Sequence, residues 1–380
     1  MKKFLAYFFG GIACMGVGVG VYIAIGTYSR PATPAMLFGG RKTTIESVNE
    51  LLPLVGKSLA GKVKNAVATP EPPDLTPPSP SQGEGVKTVF FGGDIMLGRS
   101  VAEAIAKSGN DYPFVNIKET VAAADYAMAN LEGPITTVNN APANRMRFHF
   151  APSLAAVLSA TGFDAFSLAN NHGLDQGAKG FDETKKNLTA NHIAYFGDAS
   201  DDDGAILHFT VGGKNFAAIG AQDVYRQIDP AALGKKIASE KASGNFVIVY
   251  PHWGVEYNHA ASTRQTKLAY AFIDAGADIV VGSHPHVVEG MEMYKGKPIF
   301  YSLGNLVFDQ YFSADTQEGL GLRLNIGADG STSVDLLPYE IPQSQPALAA
   351  GDQKAKLLEA LASYSSPALK DQILAGNIKF

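Results

Sequence analysis

Six short polar clusters, each set at the end of an apolar run, constrain this chain more than any other feature. In order they are Gly93-Asp94-Ile95-Met96, Asn130-Leu131-Glu132-Gly133, Leu168-Ala169-Asn170-Asn171-His172-Gly173, Pro251-His252-Trp253-Gly254, Gly282-Ser283-His284-Pro285-His286 and Ser302-Leu303-Gly304-Asn305. The ligand candidates among them run from Asp94 to His286, and no contiguous half contains them all. A fold that uses them together has to be one domain in which run ends from distant parts of the chain meet.

Apolar runs over residues 87–92, 126–131, 165–169, 206–211, 216–220, 246–250, 279–282, 298–302 and 321–326 read as strands. Helical periodicity fits 100–107, 115–123, 154–160, 181–190, 231–241 and 266–275. Strands and helices interleave, so an α/β fold is expected, with ligands at the carboxyl ends of its strands. A chain that is 46% hydrophobic and 18% charged has the composition of a packed core. Its net charge of −5 comes with no basic stripe, which excludes nucleic acid as the expected partner.

Outside these runs the chain is organised differently. Residues 4–26 carry no charge and are long enough, at about 1.5 Å per residue, to cross a hydrocarbon core of roughly 30 Å. That length exceeds the apolar region of a cleaved signal peptide, so an uncleaved transmembrane anchor is expected. Residues 27–68 read as a juxtamembrane stalk. Residues 69–85, with Pro70, Pro72, Pro73, Pro77, Pro78 and Pro80, read as an extended linker. The main domain is then expected over 86–340 and a helical tail over 341–380, where Leu357, Leu358 and Leu361 suggest one helix.

The only cysteine, Cys14, lies inside the apolar run, so a metal in the main domain must be held by oxygen and imidazole ligands. Carboxylates and imidazoles delivered by different strands can converge on a divalent cation. A shared carboxylate such as Asp94 could bridge two cations about 3.5–4 Å apart, an arrangement suited to activating water and clamping a phosphoryl group. His284 and His286 flank Pro285, and in an extended segment alternation would put both rings on one face. Each piece also has an ordinary reading: Asp94 as a turn former, Asn170 and Asn171 as a turn, Glu132 as a solvated loop acid, His252 as a histidine at the core's edge. His149, His192, His208 and His259 belong to no strand-end cluster and are read as structural.

The motifs GGDIMLGR, ANLEGPIT, SLANNHGLDQG, HWGVEY, GSHPHV and FYSLGN together resemble the bacterial poly-γ-glutamate capsule synthesis family, also called the CapA or PgsA family, which is similar to calcineurin-type metallophosphoesterases. The resemblance implies a two-sheet αββα sandwich of metallophosphoesterase type, preceded here by the transmembrane helix. It implies a divalent-metal site of two ions, with Asp94, Glu132, Asn171, His252, His284 and His286 as ligands; Mn, Fe, Zn and Mg are not distinguished. His172 is implied as the leaving-group acid beside Asp94 in the catalytic role, and Arg99, Asn130 and Asn305 as substrate-binding residues.

Two positions depart from the wider superfamily. Where that superfamily has Asp-x-His, this chain has Asp94-Ile95-Met96, so one imidazole is missing and the first metal would be under-coordinated, or completed by water or a neighbour. Where it has a bridging aspartate after glycine, this chain offers Asn130 and Glu132.

The function that the resemblance implies is synthesis or export of an envelope polymer, with the globular domain outside the bacterial cytoplasmic membrane and a single pass through it. Expected partners are an anionic envelope polymer or a phosphoester substrate, the membrane itself and other capsule-synthesis membrane proteins. An active metallophosphoesterase and a metal-dependent hydrolase of the polymer's amide bonds are the alternatives.

Overall fold

The computed structural model describes residues 85–140, 146–200 and 204–380. The expected anchor at 4–26, the stalk and almost all of the linker lie outside the described residues. Among the described residues no helix is long and apolar enough to cross a membrane.

The chain opens with β1 (Lys87–Ile95), α1 (Arg99–Ser108), α2 (Lys118–Ala122), β2 (Tyr126–Leu131), α3 (Leu154–Thr161), β3 (Ala165–Ser167), α4 (Gly177–Ala190) and β4 (Ala194–Phe196). It continues through β5 (Leu207–Val211), β6 (Lys214–Gln222), α5 (Pro230–Ala242), β7 (Phe246–His252), α6 (Thr263–Ala275), β8 (Ile279–Val281), β9 (Met291–Tyr294) and β10 (Lys297–Phe300). The last elements are β11 (Asn305–Val307), β12 (Glu318–Ile326), β13 (Thr332–Glu340), β14 (Ala347–Leu348), α7 (Gly351–Tyr364), α8 (Lys370–Leu374) and β15 (Asn377–Lys379).

These strands form two mixed sheets. One has the order β14-β13-β12-β1-β2-β3-β4, with β11 also paired to β1 and β15 to β13; the other has the order β5-β6-β7-β8-β10-β9. Within the first sheet β1 to β4 run parallel, and within the second β6, β7, β8 and β10 do. Parallel neighbours put their carboxyl ends at one edge, and that edge carries the polar clusters.

Side-chain alternation divides the interior into three apolar layers. Val89, Phe91 and Met128 of the first sheet meet Phe216, Ile248 and Val281 of the second in the middle layer. Phe90, Ala127 and Phe166 face the other way, onto Val101, Leu158 and Phe181 of the first helical layer. Val247, Val249 and Val280 face Leu233, Leu268 and Phe272 of α5 and α6. Helix, sheet, sheet and helix are thus stacked in turn, each interface sealed by side chains whose full burial contributes roughly 1.5–3 kcal/mol apiece.

The two outer helices of the second sheet begin where their sequences say they should. Asp229 caps α5 by accepting from the backbone of Ala231 and Ala232, and Ser262 with Gln265 forms a capping box on α6. The tail is more than a helix, because β14 and β15 both extend the first sheet through β13.

Candidate metal centre at the strand ends

A bulge aims the first carboxylate. On β1 Phe91 pairs with Met128 and Asp94 pairs with Asn130, so the β1 strand inserts one extra residue between these two pairs. Gly93 lies in that bulge, and a Cβ there would stand 2.1 Å from the carbonyl oxygen of Gly304. The bare backbone lets β11 close in, Asp94 N–H donates to Gly304 O at 3.0 Å, and Asp94 comes into register with Asn305.

Around Asp94 the six clusters converge. Asn130 Nδ2 donates to Asp94 Oδ1 at 2.8 Å, and the backbone N–H of His284 donates to Asp94 Oδ2 at 3.1 Å. His286 Nδ1 lies 3.4 Å from the same oxygen, while its Nε2 faces Glu132 Oε1 at 3.5 Å. His252 Nε2 sits 2.7 Å from Asn171 Oδ1, and its Nδ1 sits 3.0 Å from Ser283 Oγ. Asp94, Asn130, Glu132 and Asn305 are completely buried, and His252, His284 and His286 nearly so.

His172 and Asn171 are half-buried at the mouth. The ring of His172 stacks on Phe148 and its Nδ1 lies 2.8 Å from Asp175 Oδ2, which also accepts from the Phe148 backbone at 2.6 Å. Its Nε2 is turned inward, 3.9 Å from Glu132 Oε1. Asn170 both makes a turn and ties strands together: its Oδ1 accepts from His172 N, and its Nδ2 donates to Asn130 Oδ1 and to Leu131 O.

Arg99 lies at the rim, but its charge is already matched. It pairs with Asp309 through two nitrogens, and its guanidinium rests over the rings of Phe148 and Phe308 at 5.0 and 5.5 Å. Those rings in turn pack on His172 and His286. Asn305 lies deep in the cluster, where it contacts His286 and is itself fully enclosed.

Burial and charge set the protonation of the cluster. Burial, helped by His284 and His286, holds His252 well below the usual imidazole range. Burial and the neighbouring His286 pull His284 down to about 4. Both rings are therefore neutral at pH 7 and keep a lone pair for a ligand. Burial also pushes Glu132 well above the usual carboxylate range, against the pull of His286 and with the Asp94 charge adding to the rise. For His286 burial disfavours charge, yet Glu132 and Asp94 outweigh it and lift the ring to about 9.

Two orphaned atoms test whether a cation fits. Glu132 Oε1 and His284 Nδ1 are buried with no hydrogen-bond partner among the described residues, which is costly for groups of this kind unless something else satisfies them. The atoms that could ligate an ion fall into two triads, Asp94 with Glu132 and His252, and Glu256 with His284 and His286; within each, the atoms lie within 4.8 Å of one another. Carboxylate and imidazole donors of this mixture suit a divalent transition metal, so the residues present fit the group.

One expectation needs correction. His284 and His286 are not on alternating positions of an extended strand: β8 ends at Val281, and both residues take positive φ, 101° and 60°. A tight left-handed path brings the rings to 5.9 Å between centroids, and it persists because Asp94, Asn305 and the surrounding loops hold it. Met96 is fully buried and its Sδ accepts from Gly98 N–H at 3.0 Å, shaping the turn into α1. Sequence reasoning passed over Asp175 and Glu256, which lie in loops where acids are ordinary. The one signal for Asp175 was its place three residues beyond His172.

Comparison with known proteins gives the class of protein to which this fold and cluster belong. The family described as "Bacterial capsule synthesis protein PGA_cap" matches residues 88–310, and the chain belongs to it. The chain is 33% identical over 292 residues to the PGA biosynthesis protein CapA of Bacillus subtilis (strain 168), covering 72% of this chain and 76% of that one. It is 33% identical to the capsule biosynthesis protein CapA of Bacillus anthracis, covering 68% of each. A probable polyglutamine synthesis accessory protein of Mycobacterium tuberculosis (strain ATCC 25618 / H37Rv) is 27% identical over 296 residues, covering 62% of this chain and 76% of the relative.

Proposed function

We propose that this chain is an accessory of poly-γ-glutamate capsule synthesis, anchored in the bacterial cytoplasmic membrane through residues 4–26, whose strand-end cluster binds a divalent metal and, with it, the anionic polymer. The observation that carries the reading is the buried cluster in a member of the capsule synthesis family, with Glu132 Oε1 and His284 Nδ1 lacking hydrogen-bond partners among the described residues. Asp94, Glu132, Asn171, His252, His284 and His286 would hold the metal. When bound it would supply the positive charge that an acidic chain lacks for capturing carboxylates. The protein's own residues do the rest: Asn130 and the His284 backbone orient Asp94, Asn305 orients His286, and the Arg99–Asp309 pair braces the rim.

One arrangement favours a second reading, metal-dependent phosphoester hydrolysis. His172 is oriented by Asp175 on Nδ1 and presents Nε2 toward the cluster, the geometry of a group that delivers a proton to a leaving oxygen.

Purified full-length protein in detergent separates the two. With Mn added, retention of poly-γ-glutamate that disappears on chelation supports the accessory reading. No retention under either condition refutes it. Steady turnover of a generic phosphodiester that Asp175→Asn slows by about a hundredfold, at unchanged metal content, would establish the second reading instead.

A further inference from the structure

We propose that Glu256 completes a second, solvent-facing divalent-cation position with His284 and His286, beside the buried position formed by Asp94, Glu132 and His252. This rests on the reading of the strand-end cluster as a metal centre and divides that centre into two unequal places.

The geometry points to Glu256 from three directions. Its carboxylate and a ring nitrogen from each of His284 and His286 lie within 4.8 Å of one another. The loop that carries it is fastened to the two histidines: Gly254, at φ 96°, turns the chain after β7, and Tyr257 N–H then donates to Pro285 O at 2.8 Å. His284 Nδ1, in a side chain only 4% exposed, has no hydrogen-bond partner among the described residues.

Met96 supplies no ligand to either place. A thioether is a poor ligand for a hard cation, and this one is already engaged by Gly98. Glu256 arrives from the loop after β7 and gives the two imidazoles a carboxylate as their third donor. Two imidazoles and one carboxylate suit Mn, Fe or Zn and leave coordination positions open to an incoming oxygen ligand.

Exposure makes the two places differ. Asp94, Glu132 and His252 are no more than 1% exposed, whereas Glu256 is an exposed side chain. The cation at the Glu256 position is therefore the one that exchanges readily and meets the polymer's carboxylates.

The test is metal stoichiometry and affinity, not turnover. Full-length protein is stripped with chelator, titrated with Mn alone, and read by calorimetry and elemental analysis. The wild type should take up about two equivalents, the weaker of which is lost first on dialysis. Glu256→Gln should keep the tight equivalent and weaken the second by about tenfold or more, with an unchanged thermal midpoint. Glu256→Asp should recover part of the loss. Two equivalents at wild-type affinity in Glu256→Gln would overturn the assignment while leaving the metal centre intact. Wild-type protein that binds no Mn would overturn the metal centre and this inference together.

Discussion

The carboxamide oxygen of Asn305 lies 3.0 Å from Nδ1 of His286, and its amide nitrogen is committed elsewhere, to Gln310 Oε1 at 3.0 Å and Thr316 O at 2.9 Å. The two amide bonds fix which way the carboxamide points, so Nδ1 of His286 meets an oxygen and must carry the proton. Nε2 is thereby the nitrogen turned toward Glu132. Gln310 extends the chain outward, donating to the Tyr257 hydroxyl at 3.2 Å.

Asn305 accordingly acts through His286, as a positioning residue. Asn305→Ala should weaken metal binding by roughly 10- to 100-fold, the usual scale for partners that orient ligands. It should also cost about 1–3 kcal/mol of stability, because Gln310 Oε1 and Thr316 O lose their donor. Calorimetric Mn titration and chemical denaturation measure the two effects separately. Metal affinity equal to wild type would mean that the ring is held by its loop alone.

Gly93 offers a sharper structural test. A methyl group there collides with Gly304 O at 2.1 Å, and both partners are backbone, so no side chain can move aside. Gly93→Ala should destabilise the domain by at least the roughly 1–3 kcal/mol typical of overpacking and should displace Asp94 from Asn305. Gly213→Ala, where nothing lies within 4 Å but φ is 77°, gives the comparison: backbone strain without collision and far from the cluster. Equal losses of metal binding in the two variants would refute the part given to Gly93.

Most of the parallel strands were legible because they are buried on both faces and read as unbroken apolar runs, as in Phe246–His252, whereas the short, half-buried edge strand β4 was not. Other strands were not. β13 contains Pro338, Asp335 and Glu340, a composition that argues against a strand until β12 is known to lie beside it over nine paired positions. β9 carries Glu292 amid half-buried residues at a sheet edge, and β11 and β15 are too short to have a period. In the site, a histidine that interrupts an apolar run announces itself, and His252 did. Glu256 did not, because its place beside His284 depends on the turn at Gly254 and on a hydrogen bond to Pro285, neither of which leaves a local pattern.

Glu289 links stability to pH in a way that can be isolated from the metal centre. Its side chain is buried, Oε2 accepts from Gln265 Nε2 at 2.6 Å and Oε1 has no hydrogen-bond partner among the described residues. Burial pushes the carboxyl up to about 8, against the pull of the Gln265 bond. A carboxyl with a raised folded value binds its proton more tightly when folded, so it favours the native state at low pH. That contribution is lost progressively as pH rises from the unfolded value, near 4.5, through about 8. Glu289→Gln keeps an acceptor for Gln265 and cannot ionise. Its unfolding midpoint should match wild type near pH 5 and exceed it at pH 8, the gap growing by up to about 1.4 kcal/mol per pH unit between. Denaturation of both proteins across this range, in chelator to exclude metal effects, checks it. Parallel curves would show that Glu289 ionises in the folded protein as easily as in the unfolded one.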